Sequence, residues 1–187
     1  MPCMCGDSEC SSCGSAQGTR GEVYPPVLDA TCGSRAMWFN KNDERALFFD
    51  RRDETLLLPK GKAWPNGGEL HIHPDVQGNF TDMPFPDNTF TLVVFDPPHM
   101  EKLGEGSNLG KFYGKLFGDW ECELAKAFEE CFRILRDNGI LIFKWCSIEI
   151  PLSRVLALTP HAPMFGHNTG NHAKTHWCVF MKPNIKV

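Results

Sequence analysis

A chain of 187 residues, 42% of them hydrophobic, holds enough apolar material for one domain with a sizeable core. Its formal charge of −4 argues against a broadly basic nucleic-acid surface, while leaving room for a local patch. No apolar run approaches the length of a membrane span, so no membrane partner is expected. The nine cysteines, odd in number and mostly scattered through apparent strands and helices, favour a reducing, cytoplasmic setting over a disulfide framework.

The chain opens M-P-C-M-C-G-D-S-E-C-S-S-C-G, with Cys3, Cys5, Cys10 and Cys13 separated by small and turn-forming residues. Four thiolates so close in sequence can wrap one tetrahedral zinc, and the Cys10–Cys13 pair has the spacing of a zinc knuckle. The alternative is a disordered, oxidisable tail. Residues 1–20 are therefore read as a Cys-rich appendage that needs a metal staple to fold, and 21–187 as the main domain.

Pro26–Gly33 reads as a first strand and a tight turn: Val27 and Leu28 are apolar, Asp29 closes the strand, and Gly33 lets the backbone approach a ligand. A short helix is expected near Ser34–Asn40, with free N–H groups suited to a carboxylate. Ala46–Asp50 is a second apolar strand that ends in an acid. Asp50 follows Gly33 by 17 residues, near the distance at which an acid meets a ribose hydroxyl in nucleotide-binding βαβ units. Asp53–Leu58 reads as a brief helix, Lys60–Gly68 as a loop, and Glu69–His73 as a short third strand. Asp82 sits in a turn between Phe80 and Phe85, where it can face a ligand's amino group or simply cap the turn.

Phe90–Phe95 is the most sharply defined stretch, an apolar, β-branched run with the character of a buried parallel strand. Asp96, Pro97, Pro98 and His99 follow. The prolines fix φ and remove two donors, so the strand ends there, with an acid at the carboxyl end where open α/β sheets bind ligands. Beyond it, glycines punctuate a segment that includes Lys102, Lys111, Lys115, Phe112 and Tyr113. This stretch is either a lid suited to a nucleic-acid backbone and its bases or a solvated loop. Trp120–Arg136 has helical periodicity, and Ile140–Trp145 is the next buried strand, carrying Lys144 near its end. A helix over Leu152–Leu158 follows. The strands Pro163–Gly166 and Thr175–Met181 are joined too closely for a helical crossover and should be antiparallel. His161, His167, His172 and His176 match no common metal spacing and are given ordinary polar or core roles.

With these elements placed, residues Val23–Lys182 resemble a class I S-adenosylmethionine-dependent methyltransferase. Asp96-Pro97-Pro98-His99 is similar to the Asp/Asn-Pro-Pro-aromatic motif of enzymes that methylate exocyclic amino groups in nucleic acids. The chain as a whole looks most like small, phage-type DNA-methylase-like proteins. The resemblance implies a Rossmann-like α/β fold, whose seven-stranded, mostly parallel sheet has an antiparallel last strand. It implies cofactor contacts from Asp29, Thr31, Gly33, Asp50, Asp82 and Met83, with Asp50 on the ribose and Asp82 on the adenine amino group. Asp96, Pro97, Pro98 and His99 would form the catalytic motif, with Lys111, Tyr113 and Lys144 on the substrate.

Two departures stand out. His99 replaces the usual Tyr, Phe or Trp, and the cofactor turn has one glycine instead of two or three. The chain also lacks an insertion large enough for a separate recognition domain, so sequence specificity requires a protein partner or the glycine-rich loop. The expected function is methylation of a base amino group, adenine favoured, in DNA or RNA. The alternatives are a methyltransferase of a small molecule or protein side chain, and a non-catalytic binding module.

Overall fold

Phe90–Phe95, the run singled out above, is the middle strand of the sheet. A computed structural model describes residues 23–184 apart from 62–63, 105–106, 117 and 169–173. Cys3, Cys5, Cys10 and Cys13, and with them the expected zinc knuckle, lie outside the described residues. The strands are β1 (Val27–Asp29), β2 (Ala46–Asp50), β3 (Glu54–Leu58), β4 (Gly68–Ile72), β5 (Val76–Gln77), β6 (Phe90–Phe95), β7 (Leu135–Cys146), β8 (Phe165–Asn168) and β9 (Thr175–Met181). The helices are α1 (Asn108–Tyr113), α2 (Trp120–Ile134) and α3 (Leu152–Leu156).

Seven strands form one sheet in the order β5-β2-β1-β6-β7-β9-β8, and β3 and β4 form a separate hairpin. Pairings from β5 through β7 are all parallel, whereas β9 runs antiparallel to both β7 and β8. The chain therefore has a Rossmann-like class I methyltransferase fold. The short connection before β9 produced the expected reversal, because two neighbouring strands joined that tightly cannot run parallel.

Alternation along the central strands decides which side chains meet the core. Leu141, Phe143 and Trp145 of β7 are wholly buried, as are Val93 and Phe95 of β6. They pack beneath α2, whose Leu124, Ala127, Phe128 and Cys131 recur at helical spacing and are also buried. The Phe128 ring stands 5.1 Å from Phe143 and 6.0 Å from Phe95, both edge to face. Asp119 starts this helix, accepting the Cys122 N–H on its side chain at 3.1 Å. Ile140, Ile142, Lys144 and Cys146 of β7 point to the opposite face and stay half-buried.

Several expectations from the sequence do not hold. Ser34–Asn40 is a series of turns, not a helix, because Arg35 takes φ 56° and breaks helical geometry. Its guanidinium holds the turns together, donating to the Lys41 and His73 carbonyls and to Asp75, 3.8 Å over the Phe48 ring. Asp53–Leu58 contains β3 rather than a helix. Leu56 and Leu58 alternate onto Leu70 and Ile72 of β4, a packing preference that outweighs the helix propensity of leucine. The segment Glu69–His73 is thus the hairpin's second strand, and the third parallel strand of the main sheet is the brief β5. The glycine-rich segment after Pro98 contains α1. Strand β7 begins at Leu135, directly after α2, but its register against β6 shifts between Leu135 and Ile140, where Asn138 takes φ 61°. Its regular pairing starts at Ile140, as the sequence indicated. Among the described residues no helix is long and apolar enough to cross a membrane.

Candidate active site

The carboxyl ends of β1, β2 and β6 meet at one cleft with a volume of about 730 Å³, within the size range of small-molecule sites. Its floor is the turn Thr31–Ser34, where Gly33 takes φ 49°, a left-handed conformation that a β-carbon would strain. The Gly33 N–H donates to Asp50 Oδ2 at 2.7 Å, tying the end of β1 to the end of β2. Asp50 Oδ1 accepts the Arg52 N–H at 2.9 Å. Both of its oxygens keep lone pairs for a further donor, as an acid serving a ribose requires.

Asp29 lies beneath this turn rather than in the cleft. It is fully buried, with Oδ2 accepting from Trp38 Nε1 at 2.7 Å and Oδ1 from the Thr31 N–H at 3.2 Å. Burial pushes its pKa up to about 7, against the lowering effect of the two hydrogen bonds. Asp29 therefore positions the turn from below. Thr31 connects it to the central motif, because its hydroxyl accepts the Asp96 N–H at 2.8 Å.

Asp96 projects from the end of β6 into the same cleft. Phe95 pairs with Phe143 in parallel register, so Lys144 stands beside Asp96. Lys144 Nζ donates to Asp96 Oδ2 at 2.5 Å, with side-chain exposures of 23% and 10%. Burial raises the Asp96 pKa, and the Lys144 charge and hydrogen bond oppose the rise.

His99 lies behind this pair, outside the cleft lining. Its ring is 6.1 Å from both Tyr113 and Trp145. Nδ1 is buried and meets no partner at hydrogen-bonding geometry, although the Pro97 backbone lies near enough to favour the protonated ring slightly. Burial dominates and lowers the His99 pKa, so the ring is held neutral.

The far wall is α1 with its flanks, and it is pinned from several sides. Arg52 donates to the Lys111 and Phe112 carbonyls at 2.8 and 3.2 Å, satisfying acceptors that the end of a short helix leaves open. Phe112 stacks on Trp64 at 5.9 Å and packs against the β3–β4 hairpin. The start of the segment is held by Glu149, whose Oε2 accepts the Glu101 and Lys102 N–H groups at 2.7 and 3.0 Å. Gly114, at φ 75°, brings the chain back so closely that a β-carbon there would lie 3.1 Å from Pro98 Cγ.

Of the residues singled out in the sequence, Thr31, Gly33, Asp50, Asp96, Pro98, Lys111, Tyr113 and Lys144 line this one cleft. Pro97 is buried behind the motif. Asp82 and Met83 are not brought to the cleft. Asp82 is exposed in a turn, its N–H donating to the Asn79 carbonyl at 3.0 Å, which matches the turn-capping alternative in position. Met83 belongs to the core, and its N–H donates to Glu130 Oε2. From that loop it is Phe80 that reaches the cleft, beside Arg51 at 5.9 Å. Sequence reasoning also missed Arg52 and the hairpin residues Glu54 and Leu56. The alternation of Leu56 and Leu58 was the available signal for the hairpin, and Arg52 gave none. Among the described residues no group of three or more His, Cys, Asp or Glu side chains is arranged to hold a metal ion.

No family model and no curated protein matches the sequence. Solved structures do match in fold. The PH0226 protein from Pyrococcus horikoshii superposes with a TM-score of 0.51 at 15% identity, over 83% of this chain and 81% of that one. A SAM-dependent methyltransferase from Methanosarcina mazei does so with a TM-score of 0.50 at 10% identity, over 84% and 92%. At these identities the likeness is one of fold.

Proposed function

We propose that this protein is an S-adenosylmethionine-dependent methyltransferase acting on an exocyclic amino group of a nucleic-acid base, adenine favoured, in DNA or RNA. The fold it shares with a SAM-dependent methyltransferase supports the first half of this reading. The observation that carries the second half is the acid of an Asp-Pro-Pro motif placed in the same cleft as Gly33 and Asp50.

The cleft residues fit such a cofactor. Asp50 retains acceptor capacity for ribose hydroxyls, the Thr31–Ser34 turn allows close backbone approach, and Phe80 offers an apolar face for an adenine ring. Bound S-adenosylmethionine supplies a methyl group on a positively charged sulfur. The protein's task is to aim a weak nucleophile at it, since an aromatic amine's lone pair is delocalised into its ring. Asp96 accepts an amine N–H in the cleft, which directs the lone pair toward the methyl carbon. Once alkylated, the amine nitrogen would be acidic, and Asp96 or water would take its proton. Tyr113 on the cleft wall gives an aromatic surface near the base, which must leave any duplex to reach it, and the His99 ring stands 6.1 Å from Tyr113 outside the lining.

The cleft rim is locally basic on an acidic protein. Arg51 and Lys111 line it and have no ion pair among the described residues, which suits a phosphate backbone. Selection of a particular sequence is assigned to a protein partner or to the segment around α1. Incubation with labelled cofactor and separate DNA, RNA, peptide and small-amine pools tests the reading. Label should enter nucleic acid and depend on Asp96, with Asp96→Asn less damaged than Asp96→Ala because its amide oxygen still accepts a hydrogen bond.

A further inference from the structure

Lys144 needs an explanation that generic amine methylation does not supply. Among the described residues it is the sole hydrogen-bond partner of the Asp96 carboxylate, and it reaches Oδ2 from the neighbouring strand, leaving Oδ1 open. Both side chains line the cleft, and Lys144 Nζ also lies 5.7 Å from the Trp177 ring. A lone carboxylate accepts from any N–H. A carboxylate with an ammonium beside it is complementary to something narrower, an N–H donor adjacent to a hydrogen-bond acceptor.

That pattern occurs on the Watson–Crick edges of two bases. In adenine the exocyclic amine and the N1 acceptor share one carbon, and in cytosine the amine and the N3 acceptor do the same. Guanine places a ring N–H beside its amine on that edge. The acceptor that shares its amine's carbon, N3, lies on the opposite side next to the sugar, where a group approaching the Watson–Crick edge does not meet it. An aliphatic amine has no adjacent acceptor. We propose that Lys144 is a specificity-determining residue: Asp96 accepts from the substrate amine while Lys144 donates to the neighbouring ring nitrogen, so adenine or cytosine is taken and guanine and isolated amines are refused. This rests on the base-amine reading above and narrows it. A site built around a partly buried donor discriminates against a substrate that offers that donor no acceptor.

A purely structural role for Lys144 would also make its loss harmful, since removal would strand a buried carboxylate. The test therefore removes one atom from the substrate. The full-length protein is given S-adenosylmethionine and single-stranded oligonucleotides carrying adenine, 1-deazaadenine, cytosine, 3-deazacytosine or guanine as the only amino-bearing base. The wild type should methylate adenine or cytosine and lose roughly ten- to a hundredfold in kcat/KM on the matching deaza base. Lys144→Met should be slow on both members of the pair and lose at least tenfold less on going to the deaza base, and Lys144→Arg should restore the difference. This comparison cancels the deaza base's own change in amine reactivity. An equal deaza penalty in wild type and Lys144→Met, or efficient methylation of guanine, overturns the role of Lys144 while leaving base-amine methylation standing. No transfer to any oligonucleotide overturns that reading and this one together.

Discussion

The Gly33 N–H and the Asp50 carboxylate meet at 2.7 Å across the ends of two parallel strands. The residue expected to hold a ribose thus also holds the turn on which the cofactor would lie. Asp50→Ala should lose a charge-assisted hydrogen bond to the cofactor worth about 1.5–3 kcal/mol, or roughly ten- to a hundredfold in affinity by calorimetry. Asp50→Asn should keep the turn, since an amide oxygen can still accept from Gly33, and lose less. Unchanged binding in Asp50→Ala would remove the residue from the cofactor site.

Asp29 gives the protein a stability that depends on pH. Its native pKa is near 7, whereas an unfolded aspartate lies near 3.8. Between those values the native state holds a proton that the unfolded state has released. Stability therefore falls as pH rises from about 4 to about 7, by a few kcal/mol from this group alone, and then levels. Chemical denaturation across that range should show the fall, and Asp29→Asn should flatten it. An unaltered slope in the variant would place the titration elsewhere.

The strand–acid pattern of this fold was legible in the sequence because buried strands need unbroken apolar runs and Asp96 and its prolines end one abruptly. Phe90–Phe95, Ala46–Asp50 and the antiparallel last pair were readable for that reason. The misreadings have a common cause. Ser34–Asn40 and Asp53–Leu58 have helix-compatible composition, but their conformations are set by distant partners: Asp75 and His73 for Arg35, and β4 for the leucines. Arg52 was invisible for the same reason, since its bonds reach carbonyls some sixty residues away. Asp82 and Asp50 both lie near a turn with a phenylalanine one or two residues before them, and only the folded chain distinguishes the one in the cleft.

Arg52 joins that distant segment to the cofactor end of the cleft, with its Nε 3.6 Å from Asp50 Oδ1. Arg52→Ala should free the carbonyls at Lys111 and Phe112 and loosen α1. Hydrogen exchange at Gly110–Gly114 should accelerate by about tenfold or more, and cofactor dissociation should quicken with it. Unchanged exchange there would mean that the Trp64–Phe112 stack suffices to hold the wall.

The cysteine spacing at the amino end carries its own expectation. Protein purified without chelators should contain about one zinc per chain, lost when Cys10 and Cys13 are both replaced by serine. A metal-free protein with full activity would leave Cys3, Cys5, Cys10 and Cys13 as a plain tail.

Transfer of a labelled methyl group from S-adenosylmethionine to mixed DNA and RNA, followed by mass spectrometry of the nucleosides, tests the central claim most directly. The wild type should yield an N-methylated base, adenine favoured. Asp96→Ala should yield none while binding the cofactor normally, because the lost interaction belongs to the transition state. An Asp96→Ala protein that methylates at near wild-type rate, or label that enters only protein or small molecules, would contradict it.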